Sequence, residues 1–100
     1  MKVKPGTHEA LIESALVLSV ERAGGIAEKV RVIGRRGFFD RLVVLPGGRV
    51  VFCEVKRPRG GVFSIHQIQR HKAYKALGVE VAVVRNLADI DRLLSSSRQK

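Results

Sequence analysis

A Pro46-Gly47-Gly48 turn stands between two apolar, β-branched runs, and it constrains the fold of this chain more than any other feature. Proline presets φ for the second position of a tight turn, and glycine supplies the positive φ that follows. Residues 40–45 and 49–56 are therefore predicted to be the two strands of an antiparallel hairpin. Residues near 40 then lie roughly opposite residues near 54. Side chains alternate along a strand. Glu54 and Lys56 thus share a face with Val50 and Phe52, while Val51, Cys53 and Val55 face the other way.

The rest of the chain arranges itself around this hairpin. Residues 7–23 read as a helix, with Thr7 as its cap and Gly24-Gly25 as its end. Ile12, Leu16, Val17 and Val20 make one apolar stripe on it, and Leu11, Ala15 and Leu18 make a second on the far side, which suits a helix covered on both sides, one of them by a partner subunit. Residues 29–33 alternate like a strand, and residues 34–37 form a basic, glycine-flanked loop. A second helix is expected over 64–77, opened by Ser64 and closed by Gly78. Residues 79–85 form a strand apolar enough to be expected at the sheet centre, and residues 87–94 a last short helix capped by Asn86. The order is αβββαβα. The hairpin is antiparallel and the connection through the second helix is a right-handed crossover to a parallel strand. The fold class is α/β, a mixed four-stranded sheet flanked by helices.

One hundred residues are enough for one domain, taken as residues 1–100, with a basic arm at 1–6 and a frayed tail at 95–100. With 45% hydrophobic residues the chain is not of the disordered class. Its single cysteine, Cys53, has no partner for an internal disulfide, which fits a reducing, intracellular setting. No apolar run approaches the roughly 20 residues of a membrane span, and no signal-peptide core follows the basic arm. Nineteen Lys and Arg against nine Asp and Glu give a formal charge of +10, which favours a polyanionic partner such as nucleic acid.

The few acids then become informative. Asp40 starts one hairpin strand and Glu54 and Lys56 end the other, so two carboxylates and an ammonium converge at the open end of the hairpin. Two carboxylates suit a hard cation such as Mg²⁺. Such an ion polarises a phosphodiester and neutralises charge developing on it, and a nearby lysine can orient water or steady the transition state. A Glu-x-Lys triplet by itself is more often a surface ion pair; the hairpin-placed aspartate is what raises it above that. Glu9 and Glu13 lie one turn apart beside the Ile12-Leu16-Val20 stripe, where a carboxylate needs either a partner or the favourable field of a helix start. On the second helix Gln67, His71 and Tyr74 share a face opposite Ile65, Ile68 and Ala76, a solvated face in the simplest view. Gln67 could hold a phosphate or water, and Arg70 and Lys72 could contact a nucleic-acid backbone. There is no phosphate-binding glycine loop, dinucleotide fingerprint or zinc spacing.

The run at 37–56, GFFDRLVVLPGGRVVFCEVK, resembles the virus-type replication-repair nuclease (VRR-Nuc) family of the PD-(D/E)xK nuclease superfamily. That family's pattern is a helix bearing a glutamate, a G-x-P-D-R strand, an E-x-K strand and a glutamine opening the next helix. The counterparts here are Glu9 or Glu13, then Asp40, Glu54, Lys56 and Gln67. Gly24-Gly25, Lys29 and Leu77-Gly78-Val79 also match, and the likeness runs over about residues 9–94. One departure is Phe39, where the family usually has proline. The resemblance implies a restriction-endonuclease-like core and Mg²⁺- or Mn²⁺-dependent cleavage of DNA. The ion would sit between Asp40, Glu54, the Val55 carbonyl and Glu9, with Lys56 and Gln67 serving the water and phosphate and Arg35, Arg36, Arg57 and Arg59 gripping the backbone. Stand-alone phage-type members form homodimers and act on four-way junctions, so a homodimer resolving Holliday junctions in the cytoplasm of a bacterial cell or phage-infected host is the expectation. The alternatives are a less selective flap or duplex nuclease and a non-catalytic basic DNA-binding protein.

Overall fold

A computed structural model describes residues 7–34 and 38–95. The basic arm, Arg35, Arg36, Gly37 and residues 96–100 lie outside the described residues. The elements run α1 (Thr7–Arg22), β1 (Ile26–Lys29), β2 (Arg41–Leu45), β3 (Arg49–Val55), α2 (Ile65–Ala76), β4 (Val81–Val84) and α3 (Leu87–Ser95). This is the αβββαβα order, in one sheet of strand order β1-β2-β3-β4. The first two pairings are antiparallel and β3 runs parallel to β4.

The hairpin forms as its turn chemistry requires. Gly47 and Gly48 take φ of 88° and 85°, and Gly48 N–H donates to the Leu45 carbonyl at 3.1 Å. Arg41 pairs with Cys53, so Asp40 and Glu54 come next to one another one step beyond the β2–β3 ladder. On one side of the sheet Val43, Leu45, Val51, Cys53, Val55 and Val84 pack with Ile12, Leu16 and Val20 of α1 and Ile90 and Leu93 of α3. On the other, Phe39 and Phe52 meet His71 and Tyr74 of α2 in an aromatic layer with ring centroids 4.6–5.4 Å apart.

Four expectations are corrected. First, β1 occupies Ile26–Lys29 rather than 29–33. Gly25 lies so close beneath β2 that a Cβ there would meet the Val44 carbonyl at 2.5 Å, so the chain enters the sheet directly after the helix and runs off the end of β2 by residue 30. Second, β4 is an edge strand, not a central one. Its apolar character reflects coverage of both its faces, by α2 and α3. Third, Ser95 belongs to the last turn of α3 rather than to the tail. Fourth, the Gln67-His71-Tyr74 face of α2 is not solvated: His71 is buried, whereas Ile65 and Ile68 are 61% and 41% exposed. Aromatic partners on the sheet attract the polar face, and its aliphatic side is left outward. Of the second stripe on α1, Leu11 and Leu18 are exposed in the single chain.

Candidate functional site

Asp40 precedes antiparallel β2, Glu54 lies at the end of β3 and Lys56 just past it, and Arg85 follows β4, so these residues all collect at one end of the sheet. It is the end outside the carboxyl termini of the parallel strands, where open α/β sheets generally bind ligands.

Asp40 is fixed by backbone and packing. Its N–H donates to the Cys53 carbonyl at 3.0 Å, and its Oδ2 accepts from Val55 N–H at 2.7 Å. The side chain thus extends the hairpin by one hydrogen bond. Val55 N–H and C=O point to the same edge of the strand, so the Val55 carbonyl lies on the β2 side, where Asp40 stands. Phe39, the neighbour of Asp40, is 1% exposed and stacks on the His71 ring at 4.6 Å. A buried aromatic anchor therefore stands where proline would fix the local backbone.

Glu54 is 2% exposed. Its Oε2 accepts from Gln67 Nε2 at 2.7 Å and lies 3.8 Å from Lys56 Nζ. Its Oε1 is buried without a hydrogen-bond partner among the described residues, and His71 Nε2, likewise unpartnered, is 3.9 Å away. Burial first, and then the nearby Asp40 charge, push the Glu54 carboxyl up to about 8. Burial and the neighbouring Lys75 and Lys56 charges lower the His71 imidazole, which favours its neutral form.

Gln67 ties the centre together. Its Oε1 accepts from Ser64 N–H at 3.0 Å and from Lys56 Nζ at 3.1 Å, while its Nε2 serves Glu54. Two donors on the oxygen and an acceptor on the nitrogen fix the orientation of the amide. Ser64 Oγ in turn accepts from Gln67 N–H at 3.1 Å, completing a capping box. Lys56 also donates to the Val62 carbonyl at 3.0 Å.

The two helix-1 acids separate. Glu13 accepts from Arg41 Nε at 2.8 Å and Lys29 Nζ at 3.4 Å, so it is held in ion pairs. Glu9 lines a cleft of about 370 Å³ with Lys56, Arg57, Gly60, Gly61 and Val62. Arg57 and Arg59 are exposed on the loop beside it, and Lys72 is exposed on α2. Arg70 is partly buried, its guanidinium lying against Phe38 and Tyr74. The sequence marks His71 only as a helix-face residue. Its contact with Glu54 depends on which face α2 turns inward, and no spacing rule reveals that.

Among the described residues no three His, Cys, Asp or Glu side chains stand together as a ready metal-ligand set. The donor chemistry nonetheless fits a hard cation: two adjacent carboxylates, one with an orphaned buried oxygen, beside a main-chain carbonyl. A cation there would offset both the desolvation of Glu54 and its repulsion from Asp40.

No family model matches the sequence. A solved structure described as a VRR_NUC domain superposes with a TM-score of 0.84 at 30% identity, covering 91% of this chain and 98% of the other. The "Putative nuclease p44" of Acyrthosiphon pisum secondary endosymbiont phage 1 is 45% identical over 77 residues, 77% of this chain and 82% of that protein. This chain belongs to the VRR-Nuc family. The VRR-Nuc fold accounts for the helix, the mixed four-stranded sheet and the crossover described above. Among the described residues of this VRR-Nuc chain, no helix is long and apolar enough to cross a membrane.

Proposed function

We propose that this protein is a metal-dependent endonuclease that hydrolyses DNA phosphodiester bonds. The observation that carries the reading is the Asp40–Glu54 pair, with the buried Glu54 Oε1 lacking a partner and Lys56 and Gln67 alongside. Asp40, Glu54, the Val55 carbonyl and Glu9 would hold Mg²⁺ or Mn²⁺. When bound, the ion polarises the phosphate and lowers the barrier to attack by water. Asp40 and Glu54 would hold the ion at the open end of the hairpin, where the substrate phosphate would lie. Lys56 presents its ammonium to the attacking water or a phosphate oxygen, and Gln67 holds Lys56 and Glu54 at fixed separation. Water adds across the P–O bond, yielding a phosphate monoester and a free hydroxyl. Arg57 and Arg59 flank the cleft as backbone contacts, and Arg70 and Lys72 extend the basic surface.

The finer reading is a homodimer acting on four-way junctions. Leu11 and Leu18, exposed on α1 at 61% and 48%, support a subunit contact. A two-fold dimer would present two sites to a two-fold-symmetric junction. The test is a cleavage panel with Mn²⁺ on four-way junction, flap, single strand and duplex, with chelator controls, run on the wild type and on a D40A/E54A double variant. Paired cuts in the junction, lost with chelator and in the double variant, are expected. Cleavage that survives in the double variant would overturn the site. Binding without cleavage in any metal would make the protein a DNA-binding member of the fold.

A further inference from the structure

The loop at 57–63 walls the cleft, and its stiffness has an identifiable source outside the carboxylate centre. Arg85 sits just past β4. Its Nη1 donates to the Arg57 carbonyl at 3.1 Å and reaches the Gly61 carbonyl at 3.4 Å, and its Nη2 also reaches Gly61 at 3.4 Å. The guanidinium carbon lies 5.8 Å from the centre of the Phe63 ring, whose other cationic neighbour is Lys56 at 5.1 Å. One side chain thus grips both ends of the turn and the aromatic residue that leads out of it. Arg85 is itself anchored: its N–H donates to Asp89 Oδ2 at 2.8 Å, and Asp89 N–H donates to Asn86 Oδ1 at 2.8 Å in the cap of α3. The loop is fitted to this grip. A Cβ on Gly61 would meet the Arg57 carbonyl, Arg85 Nη1 and Lys56 Cβ, each at 3.1 Å.

We infer that Arg85 is a positioning residue: it clamps the 57–61 loop against Lys56, so that the cleft beside the two carboxylates keeps the shape in which DNA is bound. This rests on the nuclease reading above for its functional half, and on loop geometry alone for its structural half. A planar guanidinium spans two carbonyls at once, whereas a lysine ammonium is a single point charge that satisfies one of them poorly. Arg85→Lys should therefore restore part of what Arg85→Ala loses.

Two measurements on the full chain test the clamp. In limited trypsin digestion followed by mass spectrometry, the Arg59–Gly60 bond of R85A should be cut about five- to tenfold faster than in wild type, with R85K in between and thermal midpoints close to one another. An unchanged cleavage rate at that bond overturns the clamp, whether or not the protein is a nuclease. In steady-state cleavage of the best substrate of the panel, KM should rise several-fold in R85A with kcat within about twofold, and R85K should fall between R85A and wild type in KM. A fall in kcat at unchanged KM would mean a smaller folded fraction, not a displaced loop, and would overturn the positioning role. If the wild type cuts no DNA, the nuclease reading fails while the digestion result still decides the clamp.

Discussion

At the scale of single residues, Glu54 is the most consequential group. It stands one residue before the end of β3, buried beside Gln67, Lys56, His71 and Asp40, with one oxygen unpartnered. Raised from its ordinary value near 4.5 to about 8, it keeps its proton in the folded protein at pH values where the unfolded chain has lost it. The folded state thus binds the extra proton between these limits, and stability falls as pH rises through that window. Without metal, the thermal midpoint should drop from pH 5 to pH 8 and level off above. Glu54→Gln keeps an acceptor for Gln67 Nε2 and removes the charge. The variant should abolish cleavage, flatten this pH dependence and melt several degrees higher than wild type at pH 8 in a calorimetric scan. Equal slopes for the two proteins would locate the pH sensitivity elsewhere. Phe39 shows how a position can change chemistry and still restrain the same backbone. Proline would restrict φ before the aspartate, whereas here a fully buried ring stacked on His71 holds that place by packing.

At the scale of elements, what the sequence revealed was whatever is written in local chemistry. The hairpin followed from Pro46-Gly47-Gly48, α2 from Ser64 and Gly78, and α3 from Asn86, because turns and caps are decided by a few adjacent residues. The convergence of Asp40, Glu54 and Lys56 followed from the hairpin register. The position of β1, at Ile26–Lys29 and not 29–33, has a different origin. It depends on the close approach of Gly25 to the Val44 carbonyl, a contact between segments far apart in the sequence. The inward turn of His71 depends likewise on rings supplied by Phe39 and Phe52 across the sheet. Gly25→Ala should accordingly destabilise the protein by about 1–3 kcal/mol, because the contact is with backbone that cannot swing aside. Urea unfolding followed by circular dichroism would show it as a lower midpoint at unchanged slope, and a change below about 0.5 kcal/mol would refute the close-approach reading.

At the scale of the whole molecule, a chain carrying +10 sets Asp40 and the buried Glu54 where polyanion chemistry would take place. In the proposed reading, basic residues elsewhere would draw DNA to the surface, and these two carboxylates would repel it unless a cation intervened. Metal and proton should then compete for the same carboxylates. Added Mg²⁺ or Mn²⁺ should raise the thermal midpoint strongly at pH 8 and little at pH 5, with the gain removed by E54Q and by chelator. A metal effect independent of pH would place the ion away from Glu54.

The three-way hydrogen bonding of Gln67 has a consequence for dynamics. Its carbonyl oxygen closes the first turn of α2 through Ser64 and receives Lys56, while its amide nitrogen holds Glu54. Fraying of that first turn, ordinarily a harmless fluctuation at a helix start, here removes the Gln67 contact from the lysine and the glutamate together and leaves Lys56 its hydrogen bond to the Val62 carbonyl. The opening equilibrium of a single helical turn, measurable by amide hydrogen exchange at residues 67 and 68, thus sets the fraction of molecules whose centre is assembled at any instant.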